Sequence, residues 1–152
     1  MKIELKEKCF SAVHFIVEHK KCERLHGHNW CVRVVVEGEL DERGMVVDFI
    51  ELRQILEEIC MKYDHRVLLP ENSPVVKCSV KGRSVRVRAG GREFEFPRSD
   101  VVWLPVVNVT VEELARLIAG ELAVKLRHPN LRKLVVFVSE APGQSAVFEH
   151  EF

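Results

Sequence analysis

Cys22-Glu23-Arg24-Leu25-His26-Gly27-His28 puts a thiol, a carboxylate and two imidazoles into seven consecutive residues. His26 and His28 are two apart, so on a strand both rings project from one face. A third imidazole, His14, lies twelve residues upstream of His26 in another strand-like run. The stretch therefore reads as the link between two strands that bring three imidazoles to one point. Three neutral imidazoles with a fourth position open suit a catalytic zinc ion, whereas structural zinc sites take four protein ligands, often thiolates. Cys22 is the candidate nucleophile or base. Glu23 reads either as an acid/base carboxylate or as an ordinary loop charge. Together they suit carbonyl or proton-transfer chemistry on a small molecule.

Upstream, Lys2 to Val17 alternates apolar and charged residues as a strand does, with a change of phase near Cys9 and Phe10 that suits a bulge. Downstream, Trp30 to Leu40 is a second strand, with Trp30, Val32, Val34 and Val36 on one face. Asp41-Glu42-Arg43-Gly44 turns the chain, and Met45-Val46-Val47 resumes extended structure, which predicts a hairpin. Asp48, with Glu51 three residues on, opens a helix carrying Leu52, Ile55, Leu56, Ile59 and Tyr63. Asp64-His65 follows its end near Lys62, a position suited to a site. Residues 75–98 alternate around Lys81-Gly82 and Gly90-Gly91 and predict a three-stranded meander. Thr110 and Glu113 form a capping box for a second helix, stopped by Pro129. Leu134 to Ser139 is a short strand followed by Glu140, and Ser145 to Phe152 pairs back after the Ala141-Pro142-Gly143 turn. The class is α+β: an antiparallel four-stranded sheet with two helices on one face and an inserted β-meander at about 75–104. An uncovered sheet face and free edges favour oligomerisation.

Composition narrows the function classes. The chain of 152 residues fits one domain, 1–152, with 47% hydrophobic and 30% charged residues. Its formal net charge is zero, so nothing global draws it to nucleic acid or an anionic membrane. The basic side of the meander (Lys77, Lys81, Arg83, Arg86, Arg88, Arg92) lacks interleaved exposed aromatics and reads as a solvated face. No apolar run reaches the ~20 residues of a membrane helix, and the first residues are no secretory leader. Five cysteines at these spacings suggest no disulfide framework, which points to the reducing cytoplasm. Cys9, Cys31, Cys60 and Cys78 read as packing residues. Scarce Asn and Gln lean towards a thermophilic source.

The motifs together resemble the 6-pyruvoyl-tetrahydropterin synthase / 6-carboxytetrahydropterin synthase family. The matching pieces are Phe10-Ser11-Ala12-Val13-His14, Cys22-x3-His26-Gly27-His28, Gly44-Met45-Val46-Val47-Asp48-Phe49, Asp64-His65, Asn108-x-Thr110-x-Glu112 and the Glu140 segment, spanning residues 2–152. The resemblance implies the tunnelling fold, with three subunits joining their sheets into a barrel and two barrels stacking into a homohexamer. It implies zinc on His14, His26 and His28, a catalytic Cys22, and a proton relay through Asp64 and His65. It implies that Glu140 anchors a pterin and that Thr110 lines the same pocket. Residues 75–104 depart from many members, and Cys22-Glu23 resembles members with dual behaviour.

The substrate implied is 7,8-dihydroneopterin triphosphate and the expected product 6-carboxy-5,6,7,8-tetrahydropterin, a precursor of queuosine- and archaeosine-type bases. Alternatives within the family are 6-pyruvoyl-tetrahydropterin formation and, with Glu23 taking the proton, side-chain cleavage to 6-hydroxymethyl-7,8-dihydropterin for folate-type cofactors. Outside it stands a zinc hydrolase, for which three imidazoles and an open position suffice.

Overall fold

The computed structural model describes residues 1–152. In chain order the elements are β1 (Lys2–His14), a one-turn 3-10 segment (Lys20–Glu23), β2 (His26–Gly38), α1 (Phe49–Tyr63), β3 (Arg66–Pro70), β4 (Lys77–Lys81), β5 (Ser84–Ala89), β6 (Arg92–Pro97), β7 (Val101–Leu104), α2 (Val111–Lys125), β8 (Leu131–Ala141) and β9 (Gln144–Glu151). The α+β class holds. The main sheet runs β7-β3-β1-β2-β8-β9, and β4-β5-β6 form a separate three-stranded sheet.

The expected four strands are therefore the β1-β2-β8-β9 part of a six-stranded sheet. The sheet is mixed rather than antiparallel, because β3 pairs parallel to β1 and β7 parallel to β3. The predicted hairpin of 30–40 with 45–47 does not form, since β2 pairs with β8 instead. The turn itself is real. Asp41 Oδ1 accepts the amides of Arg43 and Met45, each at 2.9 Å, and Gly44 adopts φ +76°. Met45-Val46-Val47 is too short to pair, and Val46 and Val47 are buried in the core instead.

The chain divides into two compact units. The first comprises residues 1–10, 29–62 and 111–152. Its strand faces follow the period of two: Trp30, Val32, Val34 and Val36 on β2 and Leu134, Val136 and Val138 on β8 are all fully buried. The helices bury Leu52, Leu56 and Ile59 and Leu114, Ile118 and Leu122 at helical spacing. Each such side chain removed from water contributes roughly 1.5–3 kcal/mol. Asp48 caps α1, its Oδ1 accepting the Ile50 amide at 2.8 Å, while Glu51 pairs with His128 at 2.9 Å.

One expectation for this unit is overturned. Cys9 and Cys31 are joined in a disulfide across a Cα separation of 4.0 Å. A spacing of 22 residues carries no signal for it, and only the adjacency of β1 and β2 brings the sulfurs together. Cys22, Cys60 and Cys78 are free. In β1 the burial pattern changes phase at Lys6-Glu7, slightly before the position read from the sequence.

The second unit comprises residues 11–28 and 63–110. Its core gathers Phe15, Val17, Val67, Leu69, Val76, Val85, Val87 and Ala89, with Phe94 stacked on Phe15 at 5.4 Å between centroids. The meander expected at 75–98 is present as β4, β5 and β6. No helix is long and apolar enough to cross a membrane.

Candidate active site

His14 ends β1 in the buried register of Phe10 and Ala12. His26 and His28 open β2 in the register that continues as Trp30 and Val32. The alternation that builds a core further along each strand thus delivers imidazoles at its end. The ring centroids lie 4.5 Å (His14–His26), 5.2 Å (His14–His28) and 5.0 Å (His26–His28) apart. One ring nitrogen from each lies within 4.8 Å of the others, so the three form a cluster able to hold a metal ion.

Backbone carbonyls hold two of the rings. His14 Nδ1 is 2.8 Å from the Val109 carbonyl, and His26 Nδ1 is 2.6 Å from the Arg24 carbonyl. A ring nitrogen facing a carbonyl carries the proton, which leaves the Nε2 lone pair for a cation. His14 Nε2 is buried and makes no hydrogen bond. Burial pulls the His14 pKa from 6.5 down to about 4, against the Val109 carbonyl, which favours the charged form. His14 is therefore neutral at pH 7, the state a ligand requires. The donor set fits zinc, with three borderline nitrogen ligands.

Cys22 lies in the 3-10 turn between the two histidine-bearing strands, half-buried and with a free thiol. Its amide donates to the His19 carbonyl at 3.0 Å and its carbonyl accepts the Ile16 amide at 2.8 Å. Glu18 and Lys20 adopt φ +60° and +45°, so the loop is wound tightly through left-handed backbone. Asn108 holds the start of the loop, its Oδ1 accepting the Val17 amide and its Nδ2 donating to the Val17 carbonyl, both at 3.3 Å. Cys22 does not belong to the three-nitrogen cluster.

Asp64 and His65 form a pair. Asp64 Oδ1 accepts the Ser11 amide at 2.8 Å, and Asp64 lies 2.8 Å from His65 Nδ1 through its other oxygen. The Ser11 amide, then His65, hold the Asp64 carboxyl below the usual carboxylate range. His65 takes φ +56° and its amide donates to the Ser11 carbonyl at 2.6 Å. Its side chain is 82% exposed. Ser11 thus anchors the pair to β1, three residues before His14, and β3 continues from it with Ala12 opposite Arg66.

Thr110 directly precedes α2 and follows Val109, whose carbonyl orients His14. In the first unit, Glu140 is half-buried and is the extra residue in the β8–β9 ladder. Ser139 pairs with Ser145 and Ala141 with Gln144, so nothing opposes it. A bulge re-aims the side chain it carries. Sequence reasoning missed the parts played by Ser11, Arg24 and Val109. All three act through backbone groups that every residue has, and only Asn108 offered a residue-type signal.

Three imidazoles on strand ends able to hold a metal ion, a thiol loop and a carboxylate-oriented histidine make up the candidate active site of an α+β protein. The family model described as 6-pyruvoyl tetrahydropterin synthase matches residues 3–151, and the chain belongs to that family. Among curated relatives, a Methanocaldococcus jannaschii protein, provisionally named 6-carboxy-5,6,7,8-tetrahydropterin synthase, is 32% identical over 143 residues, covering 91% of this chain and 88% of its own length. A Pyrococcus furiosus dihydroneopterin monophosphate aldolase is 41% identical over 59 residues, 39% of this chain and 50% of that one. A solved structure of Plasmodium vivax 6-pyruvoyltetrahydropterin synthase, with a glutamate described as catalytic replaced by alanine, superposes with a TM-score of 0.91 at 27% identity. It covers all of this chain and 99% of that one. The architecture is the tunnelling fold.

Proposed function

We propose that this protein is a zinc-dependent lyase that converts 7,8-dihydroneopterin triphosphate to 6-carboxy-5,6,7,8-tetrahydropterin. The observation that carries the reading is the cluster of His14, His26 and His28, with backbone carbonyls holding two of the rings, in a chain matched by the pterin synthase family along almost its whole length. The name of the Methanocaldococcus relative supports the product. Zinc held by the three imidazoles would supply Lewis acidity to the substrate's side-chain oxygens.

The chain's own residues do the rest. Cys22 as thiolate takes a proton from the side chain, and its place in a wound loop limits where the sulfur can go. Asp64 stays ionised and holds the His65 Nδ1 proton, so the exposed ring exchanges protons through Nε2. Glu140 accepts two N–H groups from the guanidine-like edge of the pterin. Thr110 contributes to substrate binding. The working form is a homohexamer built from trimers, in which the edge strands β7 and β9 find partners.

A second reading rests on the match to an aldolase and on the glutamate beside Cys22. With Glu23 as base at a side-chain hydroxyl, retro-aldol carbon–carbon cleavage gives 6-hydroxymethyl-7,8-dihydropterin and releases the other two side-chain carbons as the aldehyde triphosphate. Incubating the zinc-loaded protein with dihydroneopterin triphosphate and resolving products by mass separates the two. The carboxy product is expected, the hydroxymethyl product would favour cleavage, and neither product would overturn both. Cys22→Ala should abolish the carboxy product and leave zinc content intact. Full activity would remove Cys22 from the reaction.

A further inference from the structure

The meander touches the loop that carries both candidate bases. Val85, Val87 and Ala89 of β5 pack with Phe15 and Val17, the residues that follow His14 into that loop. Phe94 of β6 stacks on Phe15 at 5.4 Å. Ala89 pairs with Arg92, so Gly90-Gly91 is the two-residue turn of the hairpin, with φ +56° and +74°. Two positive values make it the turn type that suits the strand twist.

The tip of that turn meets Glu23. A Cβ built on Gly90 would lie 3.4 Å from Glu23 Cδ and Oε2 and 3.6 Å from Oε1. A side chain extending further would enter the space the carboxylate fills. Glu23 therefore rests against the hairpin, one residue from the thiol.

Resting on the pterin reading above, we propose that Gly90 is a specificity-determining position. The β5–β6 turn holds the Glu23 carboxylate in place, so that Cys22 acts as the base and the carboxy product predominates. Gly90 is a positioning residue that acts through Glu23.

Gly90→Asp and Gly90→Asn test this. Both residues accept left-handed backbone, and they match in size and differ in charge. In G90D two carboxylates face each other and Glu23 is driven off the turn. The ratio of hydroxymethyl to carboxy product should rise on the order of tenfold over G90N, as expected for one like-charge contact screened by water. Adding Glu23→Gln to G90D should return the ratio to that of G90N. Equal ratios in G90D and G90N, or a shift that survives Glu23→Gln, would overturn the proposal. Absence of both products from the unmodified protein would instead sink the pterin reading. The contact is then read by amide exchange in Lys20–Glu23, where equal rates in the two variants dismiss the positioning role.

Discussion

His14 joins burial to chemistry. Its pKa falls on folding from 6.5 to about 4, so the folded chain binds fewer protons than the unfolded one between those values. The contribution to stability is complete above pH 6.5 and is lost as pH falls towards 4, by roughly 3 kcal/mol in all. Urea unfolding of the metal-free protein should show that slope, and His14→Gln should flatten it. The same slope in both proteins would contradict the assignment. His26→Ala should strip the metal, and unchanged zinc by elemental analysis would refute its role as ligand. The grouping of the three histidines was legible because a period of two fixes which side chains share a face. Their orientation was not, because the carbonyls of Val109 and Arg24 are chosen by folding rather than by residue type.

Among the elements, long amphipathic segments were readable and short buried ones were not. Both helices announce themselves by spacing and by Asp48 and Thr110 at their starts. Val67-Leu68-Leu69 gave no period, since a parallel strand buried on both faces is an apolar run whose partner lies elsewhere in the chain, and Val101–Leu104 is a four-residue edge strand too short to show one. Met45–Val47 looked like the return of a hairpin because the turn before it was correct, but β8 outcompetes it along the length of β2. The register of that pairing shifts at Glu37-Gly38, where a Cβ on Gly38 would lie 2.5 Å from the Asn130 carbonyl oxygen. Gly38→Ala must move one backbone or the other. It should cost roughly 1–3 kcal/mol by chemical denaturation, and an unchanged midpoint would show that the strand end yields freely.

For the molecule as a whole, the Cys9–Cys31 bridge is the least foreseeable feature. It closes a loop spanning 22 residues, which predicts about 3 kcal/mol of stabilisation. Thermal melting with and without a thiol reductant should differ accordingly, and the Cys9→Ser/Cys31→Ser double variant should match the reduced protein. Identical melting would mean that the paired strands already impose the constraint.

The wound loop has one more consequence, a practical one. His14 and His26 bracket residues 15–25, and that stretch exposes Lys20, Lys21 and Arg24. An ion gripping both brackets turns the stretch into a chelate ring and restricts its breathing. Trypsin should nick the apoprotein there promptly and the loaded protein slowly, so digestion becomes an occupancy gauge that needs no substrate.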